Sequence, residues 1–157
     1  MPSPGIHNTL LPELLRRCVS FLSPSEILTF KQTSKKPGHE ITSGLFSGRI
    51  VVAAGRKTLI FDTETNKLLH TLKGHTALIR CCIFSKDGRR VLTGSMDNTA
   101  KIWDAVNGTL LLTLGGHTDH VLACAFSTDG SVVVTGSDAI RVWDAKNGTL
   151  LLVLRGH

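Results

Sequence analysis

Histidine, serine and aspartate side chains recur in this sequence at matched spacings, and they are the residues that could carry chemistry. One set comprises His75, Ser95, Asp97 and Trp103, and the other comprises His117, Ser137 and Trp143. Serine, histidine and aspartate together could form a hydrolase triad, but nucleophilic catalysis needs an exposed, strained serine beside an oxyanion hole. Ser95 instead lies inside a predicted strand, in Thr-Gly-Ser. The pattern therefore favours a structural role over a catalytic one.

Other patterns typical of reactive sites do not occur in the sequence. His117 and His120 lie three residues apart without a third metal ligand, and there is no glycine-rich phosphate-binding motif. The four cysteines form no Cys-x-x-Cys pair: Cys18, Cys81, Cys82 and Cys124. They indicate reduced thiols in an intracellular protein of the cytoplasm or nucleus. The sequence predicts no catalytic residue, no metal and no cofactor, and hence not an enzyme.

Length and composition exclude several classes of protein. The chain has 157 residues, of which 41% are hydrophobic, too many for wholesale disorder. Its apolar stretches are far shorter than the roughly 20 residues of a membrane-spanning helix. Residues 1–57 hold eight basic against three acidic side chains, whereas residues 58–157 hold ten against nine. Since the positive excess is confined to the N-terminal part, nucleic acid is an unlikely partner by this count.

A repeat of about 40 residues organises most of the chain. Gly-His recurs at 74–75, 116–117 and 156–157, and Trp-Asp recurs at 103–104 and 143–144. Turn sequences such as Ser-Lys-Asp-Gly and Asn-Gly divide each unit into four short apolar runs. In the first complete unit the predicted strands are Ile79–Phe84, Val91–Gly94, Ala100–Trp103 and Leu110–Leu114. Such units bury their faces only against neighbours of the same kind.

These motifs resemble the WD-repeat β-propeller family. The resemblance implies an all-β fold, a partial propeller of about 2.5–3 four-stranded blades, preceded by a short α-helical segment. It divides the chain into residues 1–37, a degenerate blade at 38–73, a complete blade at 74–115 and a shortened blade at 116–157. It also implies a buried hydrogen-bond network in each blade, which here would comprise His75, Ser95, Asp97 and Trp103, with His117, Ser137 and Trp143 in the next blade.

Two units depart from the family pattern. The second complete repeat is two residues shorter between serine and tryptophan, so that Asp138 falls in a compressed turn and its reach to His117 is in doubt. The unit at 38–62 has Phe61 in place of tryptophan. Three units are also fewer than the four to eight blades that close a propeller. We therefore expect either a fragment of a longer protein or self-association that completes a ring.

In the N-terminal segment the apolar residues follow the spacing of a helix and not that of a strand. Apolar residues from Leu11 to Leu22 follow the spacing of an amphipathic helix, and Ser-Pro-Ser-Glu at 23–26 is a capping box for a second helix. Residues 10–36 are similar to the first part of an F-box, although the tryptophan expected after the basic pair is Pro37. That resemblance implies docking on the adaptor subunit of a cullin-type ubiquitin ligase through Leu11, Pro12, Leu14, Leu15, Leu22, Ile27 and Leu28. The alternative is that both helices pack on the first blade.

Strand alternation indicates which side chains reach the mouth of the propeller. Ile79 and Val121 point into the core, so the neighbouring residues form an apolar and basic rim suited to protein recognition: Leu78, Arg80, Met96, His120 and Leu122. The sequence thus predicts a protein–protein interaction scaffold, the substrate-recruiting component of a cullin-type ubiquitin ligase. The alternative is a WD-repeat subunit of another multiprotein assembly, in RNA processing or signalling, without a ubiquitin role.

Overall fold

The described part of the chain consists of three antiparallel sheets. The computed structural model describes residues 44–46 and 48–156. The first sheet contains β1 (Gly44–Phe46), β2 (Arg49–Ala54), β3 (Lys57–Asp62) and β4 (Leu68–Lys73). The second contains β5 (Ile79–Phe84), β6 (Arg90–Ser95), β7 (Ala100–Asp104) and β8 (Leu110–Leu114). The third contains β9 (Ala123–Phe126), β10 (Val132–Gly136), β11 (Ile140–Asp144) and β12 (Leu150–Leu154).

Within each sheet the strands pair in chain order, as consecutive hairpins. The turns before β6 and β10 place Gly88 and Gly130 at positive φ, 68° and 70°, where a side chain would be strained. The aspartate of each aromatic–Asp pair caps the following turn; Asp104 Oδ1, for example, accepts the backbone N–H groups of Val106 and Asn107 at 2.7 and 3.0 Å. Local turn chemistry therefore determines where each strand ends.

The sheets stack in chain order, and two of the three buried apolar clusters lie in the junctions between them. At the first junction, Val51, Ile60 and Leu72 pack on a buried set from the second sheet that consists of Cys82, Phe84, Val91, Trp103 and Ala105. At the second junction, the second sheet contributes Leu92, Ala100, Ile102 and Leu114, and the third contributes Val121, Val133, Trp143 and Ala145.

An arginine at the start of the second strand fastens each of the first two sheets to the next. Arg49 donates from Nη2 to the Gly88 carbonyl at 2.7 Å, and its guanidinium lies 5.3 Å from the Phe84 ring. Arg90 repeats this arrangement one sheet later, donating to the Gly130 carbonyl at 2.6 Å and to the Ala145 carbonyl at 3.2 Å. The junctions are thus held by directional bonds as well as by apolar burial.

The predicted all-β architecture is confirmed for the described residues, and the strands expected in the complete repeat match β5 to β8 within one residue at each end. The predicted helices, the F-box-like residues 10–36 and the start of the degenerate unit lie outside the described residues. Among the residues that the structure describes, no helix has the length and apolarity needed to cross a membrane.

Replacing Arg90 by Met should lower the free energy of unfolding by about 1–2 kcal/mol, because the hydrogen bonds to the Gly130 and Ala145 carbonyls are lost while the apolar stem remains. The control is Arg89→Met, since the neighbouring Arg89 is exposed; it should change stability by less than about 0.5 kcal/mol. Urea-induced unfolding measures both. Equal effects of the two substitutions would contradict the assignment of an inter-sheet role to Arg90.

Candidate functional site

A histidine, a threonine and a tryptophan form a buried network in the second sheet. The Thr93 hydroxyl lies 2.7 Å from His75 Nε2 and accepts the Trp103 indole N–H at 2.9 Å. His75 Nδ1 lies 2.7 Å from Asp97 Oδ2, in the turn between β6 and β7. Thr93 is fully buried and Trp103 is 2% exposed. Buried polar groups need hydrogen-bond partners. By supplying them, the Thr93 oxygen connects the loop that carries His75 to both β6, where Thr93 lies, and β7, where Trp103 lies.

The donors and acceptors fix the protonation of this network. Burial alone would raise the pKa of Asp97, but hydrogen bonds from the Thr99 hydroxyl, the Thr76 amide and the His75 ring outweigh it and lower that pKa. Asp97 is therefore an ionised acceptor, and His75 carries its proton on Nδ1. Thr93 donates to Nε2.

Desolvation lowers the pKa of His75, more than the neighbouring Asp97 raises it. An unfolded histidine takes up a proton near pH 6.5, whereas the buried one resists it. The contribution of His75 to stability is therefore complete above pH 6.5 and is lost progressively as the pH falls below that value.

The third sheet repeats the threonine–tryptophan pair but surrounds its histidine differently. Thr135 Oγ1 lies 2.7 Å from both His117 Nε2 and Trp143 Nε1. Arg141 Nη1 lies 2.6 Å from His117 Nδ1 and also donates to Asp138 Oδ1 at 2.8 Å. The carboxylate itself is 3.5 Å from the ring nitrogen, too long for a strong hydrogen bond. Arg141 therefore stands between the histidine and the aspartate.

Arg141 reverses the tautomer of the histidine. A guanidinium only donates, so His117 Nδ1 must be the unprotonated nitrogen and Nε2 must carry the proton. Desolvation and the charge of Arg141 lower the pKa of His117, against a smaller opposing effect of Asp138. The hydrogen bond from Arg141 in turn lowers the pKa of Asp138. His75 and His117 are thus both neutral, with their protons on opposite nitrogens.

The prediction that Ser95 and Ser137 belong to these networks is wrong, because the threonine two residues before each serine takes that place. The Ser95 hydroxyl lies 3.0 Å from the Leu78 carbonyl and 3.2 Å from that of Ala77, and the Ser137 hydroxyl donates to the Asp119 carbonyl at 2.7 Å. The reason is register. Trp103 pairs with Val91, so Thr93 is two residues along β6 on the same face, whereas Ser95 is four residues away, about 13 Å along the strand.

The geometry does not bring together a hydrolase triad from these residues. Ser95 is fully buried, and its oxygen contacts backbone groups. Both ring nitrogens of His75 are occupied by Asp97 and Thr93. The arrangement can hold the loop before β5 against the turn after β6. It places no histidine nitrogen beside a serine hydroxyl that could act as a nucleophile.

The first sheet has apolar side chains at the positions where the other two sheets have the threonine and tryptophan of the buried network. The strand register places Val52 at the position of Thr93, and Phe61 at that of Trp103. Both side chains are 3% exposed or less and lie in one apolar cluster with Ile50 and Leu59. A valine and a phenylalanine have no polar atoms to satisfy, so this unit needs neither the histidine nor the aspartate.

The predicted rim residues lie on neighbouring segments of the second and third sheets. The Met96 amide donates to the Leu78 carbonyl at 2.8 Å, and the Val121 amide donates to the Ser95 carbonyl at 3.0 Å. These bonds bring the turn that contains Met96 next to both His120 and Leu122. Leu122 is 57% exposed, and the His120 side chain is 45% exposed. Leu78, Arg80 and Met96 are half-buried.

The thiols lie within the sheets. Cys81 and Cys82 are buried and Cys124 is partly so, and in the described part of the chain none of the three forms a disulfide. Burial raises the pKa of Cys82, and contact with the Cys81 thiol together with burial raises that of Cys124. Thiols held protonated in this way are poor nucleophiles. In residues 44–46 and 48–156, no three His, Cys, Asp or Glu side chains converge as a metal site.

The substitution Thr93→Val should destabilise the chain by about 2–3 kcal/mol, because it leaves His75 Nε2 and the Trp103 indole N–H buried without partners. Thr113→Val is the control at an exposed threonine of the same sheet and should cost less than about 1 kcal/mol. Chemical unfolding gives both values. A larger loss of stability for Ser95→Ala than for Thr93→Val would show that the serine, and not the threonine, is the central residue of the network.

Nitrogen-15 NMR should find His75 protonated at Nδ1 and His117 at Nε2. Both rings should stay neutral as the pH is lowered through 6.5, since desolvation lowers both pKa values. In Arg141→Met we expect the proton of His117 to move to Nδ1, towards Asp138, while His75 stays unchanged as the internal control. Identical tautomers in the unmodified chain would refute the role assigned to Arg141.

Sequence comparison matches two of the repeated units to a known family. The profile described as WD domain, G-beta repeat, matches residues 66–104 and 108–144. Each match begins at the outermost strand of one sheet and continues through three strands of the next. A matched unit therefore bridges a junction, which ties neighbouring sheets together covalently.

Curated proteins also show similarity over parts of the chain. Intraflagellar transport protein 122 homolog of Mus musculus is 31% identical over 77 residues, 49% of this chain and 6% of that protein. Nuclear distribution protein PAC1 of Arthroderma otae is 45% identical over 60 residues, 37% and 13% of the two chains. The tRNA (guanine-N(7)-)-methyltransferase non-catalytic subunit wdr4 of Dictyostelium discoideum is 35% identical over 83 residues, 52% and 18%. The matched region thus spans less than a fifth of the length of each of these relatives. Within the present chain, residues 66–104 and 108–144 are two WD repeats.

Proposed function

We propose that this chain is a protein–protein interaction scaffold that binds its partner through the rim of the second and third sheets. The observation that carries the proposal is the exposure of Leu122 and His120 beside Met96, on segments joined by the backbone bonds of Met96 and Val121. Together these side chains offer a partner apolar surface to bury beside polar groups, the arrangement of an apolar centre and a polar rim that protein interfaces share. The proposal includes no catalytic step.

The buried networks support this role because they hold the rim in place. Asp97 accepts from the Thr76 amide at 3.0 Å and from the Thr99 hydroxyl at 2.6 Å, which links the loop before β5 to the turn that carries Met96. In the next sheet the Thr118 hydroxyl donates to Asp138 at 2.9 Å, close to His120. Binding loops that a rigid scaffold positions lose little entropy when a partner docks.

A finer proposal makes the chain the substrate-recruiting component of a cullin-type ubiquitin ligase. Its support is the F-box-like pattern of residues 10–36, in which Leu15 and Leu22 belong to the apolar stripe of the first predicted helix. In this arrangement the N-terminal segment docks on the adaptor subunit and the rim holds the substrate. The absence of a disulfide among the described residues Cys81, Cys82 and Cys124 is in keeping with an intracellular location, in the cytoplasm or nucleus.

The second candidate is a subunit of another multiprotein assembly, in RNA processing or signalling, with the N-terminal segment packed on the first sheet. It is favoured by the names of the relatives. One is a non-catalytic subunit of a tRNA methyltransferase, and others are named for intraflagellar transport and nuclear distribution. Both candidates share the rim and differ in the partner of residues 10–36.

A pull-down with purified adaptor subunit separates the two candidates. The double variant Leu15→Asp/Leu22→Asp should reduce adaptor capture at least tenfold, because two charges would be buried in an apolar interface. The control is Leu122→Asp, which alters the exposed rim and should leave adaptor capture unchanged. Circular dichroism should show that both variants keep the spectrum of the unmodified chain.

The outcomes distinguish the two parts of the proposal. If the unmodified chain does not bind the adaptor, the ubiquitin-ligase proposal fails while the scaffold proposal stands. The scaffold proposal is tested by proximity labelling in cells: partners labelled by the unmodified chain should be lost in Leu122→Asp and kept in Leu111→Asp, an exposed leucine on β8 away from the rim. A partner set unaffected by Leu122→Asp would refute the rim.

A further inference from the structure

We infer that the rim, together with Arg56 in the turn between β2 and β3, binds a peptide segment that has two unlike parts. An acidic part lies at the junction of the first and second sheets, and an aliphatic part lies at the junction of the second and third sheets. The inference rests on the proposed function, because it names the chemical class of the partner that the same rim would bind.

The same backbone hydrogen bond joins neighbouring sheets at both junctions. At the first junction the Ile79 amide donates to the Gly55 carbonyl at 2.8 Å, and at the second the Val121 amide donates to the Ser95 carbonyl at 3.0 Å. The residue after each donor and the residue after each acceptor therefore stand at equivalent places in the two junctions. These residues are Arg80 and Arg56 at the first junction, and Leu122 and Met96 at the second.

The two junctions thus differ in chemistry although their backbones are alike. At the first junction Arg56 is exposed and Arg80 is half-buried, so that two guanidinium groups stand beside the shared hydrogen bond. At the second junction Leu122 is 57% exposed and Met96 is half-buried. The pairing of β5 with β6 also shifts register at Arg80, and such bulges redirect side chains and are frequent beside functional sites.

The charges of the described residues are distributed unequally between the two ends of the sheets. The rim end, where β2, β6 and β10 finish, holds seven Lys or Arg against three Asp, whereas the opposite end holds six Lys or Arg against six Asp or Glu. Two of the three acids at the rim end already accept hydrogen bonds, Asp97 from Thr99 and Asp138 from Arg141. The net positive charge of the described residues therefore lies at the rim end, where it would attract a partner rich in carboxylates.

The third acid at the rim end determines which way the partner lies. The Asp119 side chain is 70% exposed, in the segment that leads into the second junction. It would repel a carboxylate of the partner at that junction. The acidic part of the partner therefore lies over Arg56 and Arg80, and the aliphatic part packs on Met96 and Leu122.

A nucleic acid fits these side chains less well than a peptide does. Single strands are held largely by stacking of their bases on aromatic side chains, whereas the second junction presents Met96 and Leu122. Asp119 would also repel a phosphate backbone that ran along the whole rim. Apolar side chains of a peptide, in contrast, can pack on the methionine and the leucine.

Fluorescence anisotropy with two labelled peptides tests the class of partner. One peptide carries a block of Asp and Glu, followed after glycines by two leucines, and the other has lysine in place of each acidic residue. The 157-residue chain should bind the acidic peptide and not the lysine peptide. Added salt should weaken this binding, because attraction between exposed charges is screened.

Arg56→Glu should weaken the binding of the acidic peptide about tenfold, because repulsion replaces attraction at the first junction. Arg89→Glu is the matched control, since Arg89 is exposed at the opposite end of the sheets and the net charge changes equally. Leu122→Asp should also weaken the binding about tenfold, because it removes the apolar contact and adds a like charge. Near-ultraviolet circular dichroism of Trp103 and Trp143 verifies that each variant is folded.

The outcomes separate this inference from the proposed function. Equal binding of the two peptides, no binding of the acidic peptide, or equal effects of Arg56→Glu and Arg89→Glu would overturn the inference. Polyuridylate that binds more tightly than the acidic peptide and is released by Arg56→Glu would overturn it too, in favour of a nucleic acid. In cells, partners that are lost in Leu122→Asp but kept in Arg56→Glu would preserve the rim as the binding surface and reject the acidic class of partner. Partners kept in both variants would refute the rim itself.

Discussion

The structure depends on the burial of apolar sheet faces, and each sheet needs a neighbouring sheet to bury its face. Each four-stranded unit has Val, Ile and Leu side chains on both sides, so it is stable only against a neighbour. The same three interactions occur at both junctions. They are an apolar cluster, an arginine that donates to two backbone carbonyls, and a backbone hydrogen bond between neighbouring sheets, such as that from the Val121 amide to the Ser95 carbonyl. The rim follows from this stacking, since it lies where the second and third sheets meet.

A buried threonine hydroxyl supports the junctions from inside. In the second sheet Thr93 accepts from tryptophan and donates to histidine, whereas in the third sheet Thr135 receives the N–H groups of both. The turn between β10 and β11 is two residues shorter than its counterpart, and Arg141 fills the space between His117 and Asp138. The same scaffold thus tolerates opposite proton arrangements, because a threonine hydroxyl can rotate to either role.

Repeat spacing and turn chemistry were sufficient to predict the strands of the second sheet, because Gly-His, Asp-Gly and Asn-Gly mark the strand ends directly. They were insufficient to choose between Thr93 and Ser95. That choice depends on cross-strand register, in which the tryptophan reaches a residue two positions along the strand and not four. Counting back from the β6–β7 turn would have supplied this signal. Arg141 could not have been identified from spacing, since its role arises from a guanidinium that enters a gap left by a shortened turn.

The most direct test of stacked sheets joined by buried networks is hydrogen exchange at the indole N–H groups of Trp103 and Trp143. Both protons are bonded to fully buried threonine oxygens. They should therefore exchange only through global unfolding, at rates that follow the unfolding free energy as urea is added. Indole protons that exchange within seconds from the folded chain, independently of urea, would show that the sheets are not closed over these side chains and would contradict the account.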